Sequence, residues 1–229
     1  MFWEIEKERI LGDEIREGIL PRFLTQERNR CLEVKPKFFE AAFGQIGRGQ
    51  DFADRELVSP ESIQIGDVNL FGKIDRIELG EDIFVIGDYK TGKKIPRITD
   101  LVDGRTLQLP IYLAVTKVLL EQKGFDSYKG VAGVYYILDE DGKAQLGCGD
   151  QEFRDIAFDL PRVTDQLIPN RQYRDIHNLD DLVSISTNYV TDYVQEIASG
   201  KFPVTRHEKK DFCRHCSFKQ VCRIGAIEM

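Results

Sequence analysis

Residues 63–90 read IQIGDVNLFGKIDRIELGEDIFVIGDYK, and no other stretch restricts the fold as much. Short runs rich in isoleucine, valine and phenylalanine are separated by Gly66-Asp67 and by Gly80, both tight-turn signals, so consecutive antiparallel strands are predicted. PKFFEAAFG, from residue 36, extends the expected meander over residues 36–90. Helices are predicted around it. Residues 1–30 carry Trp3, Ile10, Ile15, Ile19, Leu20, Phe23 and Leu24 near helical spacing, with Gly12, Gly18 and Pro21 weakening or breaking the run. Residues 100–123 read as a helix in which Pro110 takes either a first-turn position or a kink. VAGVYYIL and KAQLGC about Asp141-Gly142 form a further expected hairpin, and residues 180–198 a last helix, ended by Gly200 and Pro203.

The economical reading is a single α/β domain over residues 1–200 with a cysteine-bearing tail, residues 201–229, packed on it. No apolar run approaches the roughly 20 residues needed to span a bilayer, so a soluble, cytoplasmic protein is expected. A chain that opens on an amphipathic segment suggests a piece of a longer protein. The net charge of −7 argues against a broadly basic nucleic-acid-binding surface, but it is compatible with a narrow basic channel beside an acidic metal site.

VIGDYKTGKK, residues 85–94, admits two chemistries. Gly87, Gly92 and Lys93 have the spacing of a phosphate-binding loop. That loop also requires Ser or Thr after the lysine to hold magnesium, and a helix starting there. Lys94 stands in that position and Pro96 follows, so the reading fails. In the second reading Asp88 and Lys90 alternate with Tyr89 and project from one strand face. A two-residue turn after Gly80 puts Asp75 of the preceding strand on the same face, opposite or diagonal to Asp88. Two facing carboxylates repel by roughly 0.2–1 kcal/mol unless a cation compensates, and their hard oxygens suit Mg2+ or Mn2+. A lysine beside such a site can orient a metal-activated water and stabilise charge on the phosphate under attack. The bland alternative is a set of surface ion pairs. In the following helix Gln108 and Tyr112 are four apart and share a face.

Taken in order, G-x-I-D-R-I, V-x-x-D-Y-K-T-G and Q-L-P-x-Y resemble the nuclease domain of the RecB and AddB helicase-nuclease subunits, within the PD-(D/E)xK superfamily. The resemblance implies a restriction-endonuclease-like core, a central mixed sheet flanked by helices. It implies Asp75 and Asp88 as metal ligands, the backbone carbonyl of Tyr89 as a further ligand, Lys90 as the catalytic lysine, and Gln108 and Tyr112 as a helical motif contacting DNA. Glu40 resembles the upstream acid that completes the carboxylate set. These nucleases usually carry a histidine on a helix ahead of the first strands; none occurs in this chain before His177, so either the helix lies upstream or this copy lacks the ligand.

Cys213, Cys216 and Cys222 bring three soft thiolates together, which selects zinc or an iron–sulfur cluster over hard ions. The triplet resembles the 4Fe-4S staple of AddB-type nucleases. A fourth ligand is Cys31, Cys148 or a cysteine upstream of this chain, or, for zinc, His207 or His215. Lys201, Arg206, Lys209, Lys210, Arg214, Lys219 and Arg223 surround the triplet and fit contact with a phosphate backbone.

The function implied is magnesium-dependent hydrolysis of DNA, an exonuclease acting on single-stranded ends beside a helicase domain or partner subunit in bacterial recombination and repair. The rival is a noncatalytic DNA-holding or subunit-contact scaffold that retains the nuclease frame.

Overall fold

The computed structural model describes residues 2–44, 53–92, 95–138, 144–158 and 164–201. Two compact units divide the chain, residues 1–191 and residues 192–229. Of the second, the described residues 192–201 form the last turns of a long helix and the residues after it.

The first unit is built on a mixed sheet. Its strands are β1 (Lys35–Phe43), β4 (Gly72–Leu79), β5 (Ile83–Lys90), β6 (Lys129–Ile137), β7 (Ala144–Asp150) and β8 (Leu167–Ile168), side by side in that order. Pairing is antiparallel from β1 to β5 and parallel from β5 to β6; β7 is antiparallel to β6 and parallel to β8. The expected meander is therefore interrupted. The run VNLFGKIDRIEL divides at Phe71 into β3 (Val68–Leu70) and β4, and β3 pairs with β2 (Ile63–Ile65) in a separate two-stranded sheet. β1 skips that hairpin and pairs with β4, because three-residue strands offer too little length to extend the main sheet while β4 matches β1 along most of its run.

The predicted N-terminal helix is two, α1 (Phe2–Leu11) and α2 (Ile19–Arg28), parted by Gly12 and Gly18, with Pro21 tolerated in the first turn of α2. The segment predicted as one helix over 100–123 is likewise two, α3 (Ile98–Val102) and α4 (Gln108–Glu121). Gly104, at φ +68°, takes a left-handed turn that a helix cannot continue through. Pro110 falls in the first turn of α4. A short turn, α5 (Arg154–Ala157), follows β7, and α6 (Leu179–Ala198) is the helix expected over 180–198.

α4 is the crossover between the parallel strands β5 and β6, and its apolar side, with Leu109, Leu113 and Leu120, packs on one face of the sheet over Phe84, Ile86 and Tyr135. The other face carries Ile83, Val85, Val134 and Tyr136 and is covered by Phe23 of α2 and by Ala157 and Phe158 at α5. Gly147 matters for where α4 sits. A Cβ there would lie 2.2 Å from Leu109 Cδ1, so a bare backbone is what lets the start of α4 press onto the sheet. That start carries Gln108.

Candidate active site

The hairpin between β4 and β5 sets the register of the site. Gly80 N–H donates to Ile83 O at 2.8 Å, leaving Glu81 and Asp82 as a two-residue turn, and the ladder runs back through Leu79↔Phe84 to Arg76↔Gly87. The next position sets Asp75 opposite Asp88, which is the direct register expected for this turn length. There the ladder stops and the strands part. In the gap Tyr89 N–H donates to the Asp75 carboxylate, Oδ2, at 2.9 Å instead of to a backbone carbonyl of β4.

Asp88 is 3 % exposed. Its Oδ1 accepts from Gln108 Nε2 at 2.6 Å, and Gln108 Oε1 accepts from Lys90 Nζ at 2.9 Å. Lys90 Nζ also lies 2.7 Å from Asp88 Oδ2, closing a ring of acid, amide and ammonium. This ring fixes the amide orientation of Gln108, since the reverse assignment would face donor to donor and acceptor to acceptor. Lys90 approaches Oδ2 off the axis of a hydrogen bond, so that buried oxygen keeps its lone pairs without a bonded donor. Lys90 Nζ rests 5.5 Å from the centre of the Tyr135 ring, whose residue pairs with Asp88 in the ladder. Tyr112, one turn beyond Gln108, is within hydrogen-bonding reach of it; burial pushes its phenol pKa up, and both Asp75 and Asp88 act on it.

Asp75 is half-buried, and its pKa is raised, first by desolvation and then by the charges of Asp88 and Glu40. Glu40 reaches the same neighbourhood from β1: Phe39 pairs with Arg76 and Ala41 with Ile74, which puts Glu40 across from Asp75. Its φ of 56° is the only positive value at a non-glycine position among the described residues. Asp54 braces the kink, donating its N–H to Glu40 O at 3.3 Å and accepting Phe39 N–H at 3.2 Å. The Glu40 carboxylate is ion-paired with Lys73, two residues before Asp75 on the same face of β4, and that contact raises the Lys73 pKa. Among the described residues, therefore, no three acid, histidine or cysteine side chains converge as a ready cage for a cation; Asp75 and Asp88 converge, and Glu40 is turned to an ammonium.

Asp75, Asp88, Lys90, Gln108 and Tyr112 are thus brought together, as their spacing predicts. Lys73 and Tyr135 escaped the sequence reading. The signal for Lys73 was its alternation with Asp75; Tyr135 looks like any core strand aromatic until its ladder partner is known. Cys213, Cys216, Cys222, His207 and His215 lie outside the described residues, as do the basic positions 206–223. Cys31 is exposed. Cys148 is sealed in the core, where burial pushes its thiol up to about 12, an environment that holds a thiol and not a ligand thiolate. No helix among the described residues is long and apolar enough to cross a membrane.

Comparison with known proteins gives the same constellation a lineage. The model of the PD-(D/E)XK nuclease superfamily matches residues 4–223. An ATP-dependent helicase/deoxyribonuclease subunit of the AddB type, from Thermoanaerobacter sp. (strain X514), is 23 % identical over 259 residues, covering 94 % of this chain and 22 % of the relative. Its namesake from Clostridium botulinum (strain Hall) is 26 % identical over 242 residues, 88 % of this chain and 20 % of the relative. Over 123 residues, 52 % of this chain and 10 % of the relative, identity to that of Clostridium botulinum (strain Loch Maree) reaches 36 %. The chain spans about a fifth of the length of the first two. With the match running along nearly its whole length and the acids and lysine in one constellation, the chain belongs to the PD-(D/E)XK nuclease superfamily.

Proposed function

We propose that the chain is the nuclease part of a bacterial helicase-nuclease, an exonuclease that hydrolyses phosphodiester bonds in single-stranded DNA ends with Mg2+ or Mn2+. The observation that carries this reading is the pair Asp75 and Asp88 held face to face where the β4–β5 ladder opens, with Lys90 and Gln108 at its edge.

The residues fit a hard divalent cation. Asp88 Oδ2 is a buried oxygen with no bonded donor, and Asp75 carries the repulsion of two neighbouring acids, which a cation would relieve. Along a strand the N–H and C=O of one residue point to the same edge, so the Tyr89 carbonyl faces the gap that its N–H faces and supplies a neutral third oxygen. Glu40, across from Asp75, is the fourth oxygen donor of the set once Lys73 yields it. When bound, such a cation lowers the pKa of an attacking water and screens the phosphate charge. Lys90 is held by Asp88 and Gln108 with its ammonium at the rim of the acid pair, placed to orient the water and to stabilise charge growing on the phosphate oxygens. Gln108 fixes Lys90 and Asp88 relative to each other, and Tyr112 offers its hydroxyl to the substrate strand from the same helix face.

In this reading residues 1–200 cleave, and residues 201–229 hold a 4Fe-4S cluster on Cys213, Cys216 and Cys222. Support for the cluster is the spacing of the thiolates; an ultraviolet-visible spectrum of anaerobically purified protein with iron and zinc analysis separates it from zinc. The helicase partner and the cytoplasmic setting are inferred from the names of the relatives, which belong to proteins several times longer.

Incubation with end-labelled single-stranded DNA and Mn2+ tests the core of the proposal. Cleavage should be lost with Asp88→Ala and fall by about 100- to 1,000-fold with Lys90→Ala. Undiminished cleavage in both variants would overturn the assignment. Binding of DNA by the wild type without cleavage would favour the scaffold reading.

A further inference from the structure

The face of the sheet turned away from the acids holds a second set of charges that the cleavage chemistry leaves unused. Arg76 is 1 % exposed and Glu78 is fully buried, both on β4, in antiphase to Asp75. Arg76 pairs with Glu27 of α2 and lies 2.8 Å from Glu78. Arg30, just past α2, forks onto the two Glu78 oxygens at 3.1 and 2.8 Å, and the Tyr136 hydroxyl donates to the same carboxylate. Two guanidiniums and two carboxylates balance, yet a buried balanced set is a weak source of stability, since apolar side chains of like volume serve a core at least as well. Its presence calls for another reason.

Tyr89 supplies one, because it reaches both faces. Its hydroxyl accepts from Arg76 Nη1 at 3.4 Å, and its ring is packed edge-on against Phe23 of α2 at 5.9 Å and tilted against Tyr136 at 5.6 Å. Its backbone N–H holds the Asp75 carboxylate at 2.9 Å, beyond the last ladder pair between β4 and β5. With no backbone partner from β4 at that point, the attitude of the Tyr89 peptide is set from β6 on one side and by its own side chain behind the sheet.

We propose that Tyr89 is a positioning residue: its side chain, held by the buried Arg76–Glu27 cluster, sets the peptide that aims Asp75, so that α2 tunes the cation affinity of the acid pair through the thickness of the sheet. The inference rests on the reading of Asp75 and Asp88 as cation ligands. Groups that orient metal ligands from behind contribute about 10- to 100-fold to affinity in other proteins, and a single hydroxyl belongs at the lower end of that range.

Tyr89→Phe removes the hydroxyl and keeps the ring against Phe23 and Tyr136; Glu27→Gln removes the charge by which α2 grips Arg76. Manganese binding is read directly, by the electron paramagnetic resonance of free Mn2+ during titration, beside the Mn2+ midpoint of cleavage and a thermal melt. Both variants are expected to weaken Mn2+ binding about tenfold and to move the cleavage midpoint by the same factor, with the rate at saturating Mn2+ largely retained. Titrations that superimpose on the wild type, with or without a lowered Tm, would reduce the cluster to packing and overturn the inference. Failure of the underlying reading has a different signature: Mn2+ binding unchanged in Asp88→Ala, or absent from the wild type.

Discussion

Asp75 sits under more electrostatic tension than any other acid of the site. Desolvation and the charges of Asp88 and Glu40 raise its pKa, so folding disfavours its carboxylate form. The resulting penalty is present at pH values above the folded pKa and fades as the pH falls through the folded value toward the ordinary carboxylate range. Asp75→Asn, which keeps an oxygen for Tyr89 N–H, is therefore expected to raise stability at pH 7 by about 0.5 kcal/mol while abolishing cleavage, and to flatten that part of the pH dependence; paired urea melts at pH 4 and pH 7 check it. Lys73 works in the opposite sense, its ammonium resting on Glu40 and repelling an incoming cation. Lys73→Ala should tighten Mn2+ binding by about threefold, the scale of one solvated charge pair, in the same titration. The Asp75, Asp88 and Lys90 trio was legible from alternation alone. The kink at Glu40 was not, because a φ of 56° at a glutamate, costing about 1–2 kcal/mol, depends on Asp54, fourteen positions away, to brace it.

Among the elements, α4 carries the most of the site and was the easiest to read. Gln108 and Tyr112, four apart in an apolar run behind a first-turn proline, announce a helix with one polar edge. What the run does not reveal is how closely the helix approaches the sheet, since that is decided by a glycine on β7, a strand some forty residues on. Gly147→Ala would drive a methyl group into Leu109 and lift the start of α4. A loss of about 1–3 kcal/mol in a urea melt is expected, together with a fall in cleavage larger than that of Gln108→Ala would be if Tyr112 also shifts with the helix. The predicted single helix over 100–123 failed at Gly104 for a related reason: a glycine in a helical pattern is tolerated or terminal depending on φ, which pattern does not encode.

At the level of the molecule, the local hairpins were legible and the long-range pairings were not. Gly80 marks its turn, but nothing near residues 35–43 says that β1 will bypass β2 and β3 to reach β4, or that β6 will lie parallel to β5. Nor does IDRIEL disclose that Arg76 and Glu78 are buried, since their partners come from α2 and β6. The core is complete without a cation, so chelation should leave the circular dichroism spectrum unchanged, and Mn2+ at ten times its dissociation constant should add about 1.4 kcal/mol of stability to the wild type and none to Asp88→Ala. The two-residue turn at Glu81-Asp82 acquires a particular weight here. β4 carries an anionic phase, Asp75, and a cationic phase, Arg76, one position apart, and the turn is the vernier that selects which of them meets Asp88. A slip of one residue would present a guanidinium to Asp88 and turn Asp75 toward α2, an internal salt bridge where a cation is meant to bind. Turn length, more than any side chain in the site, is thus the dimension along which this domain tolerates the least drift.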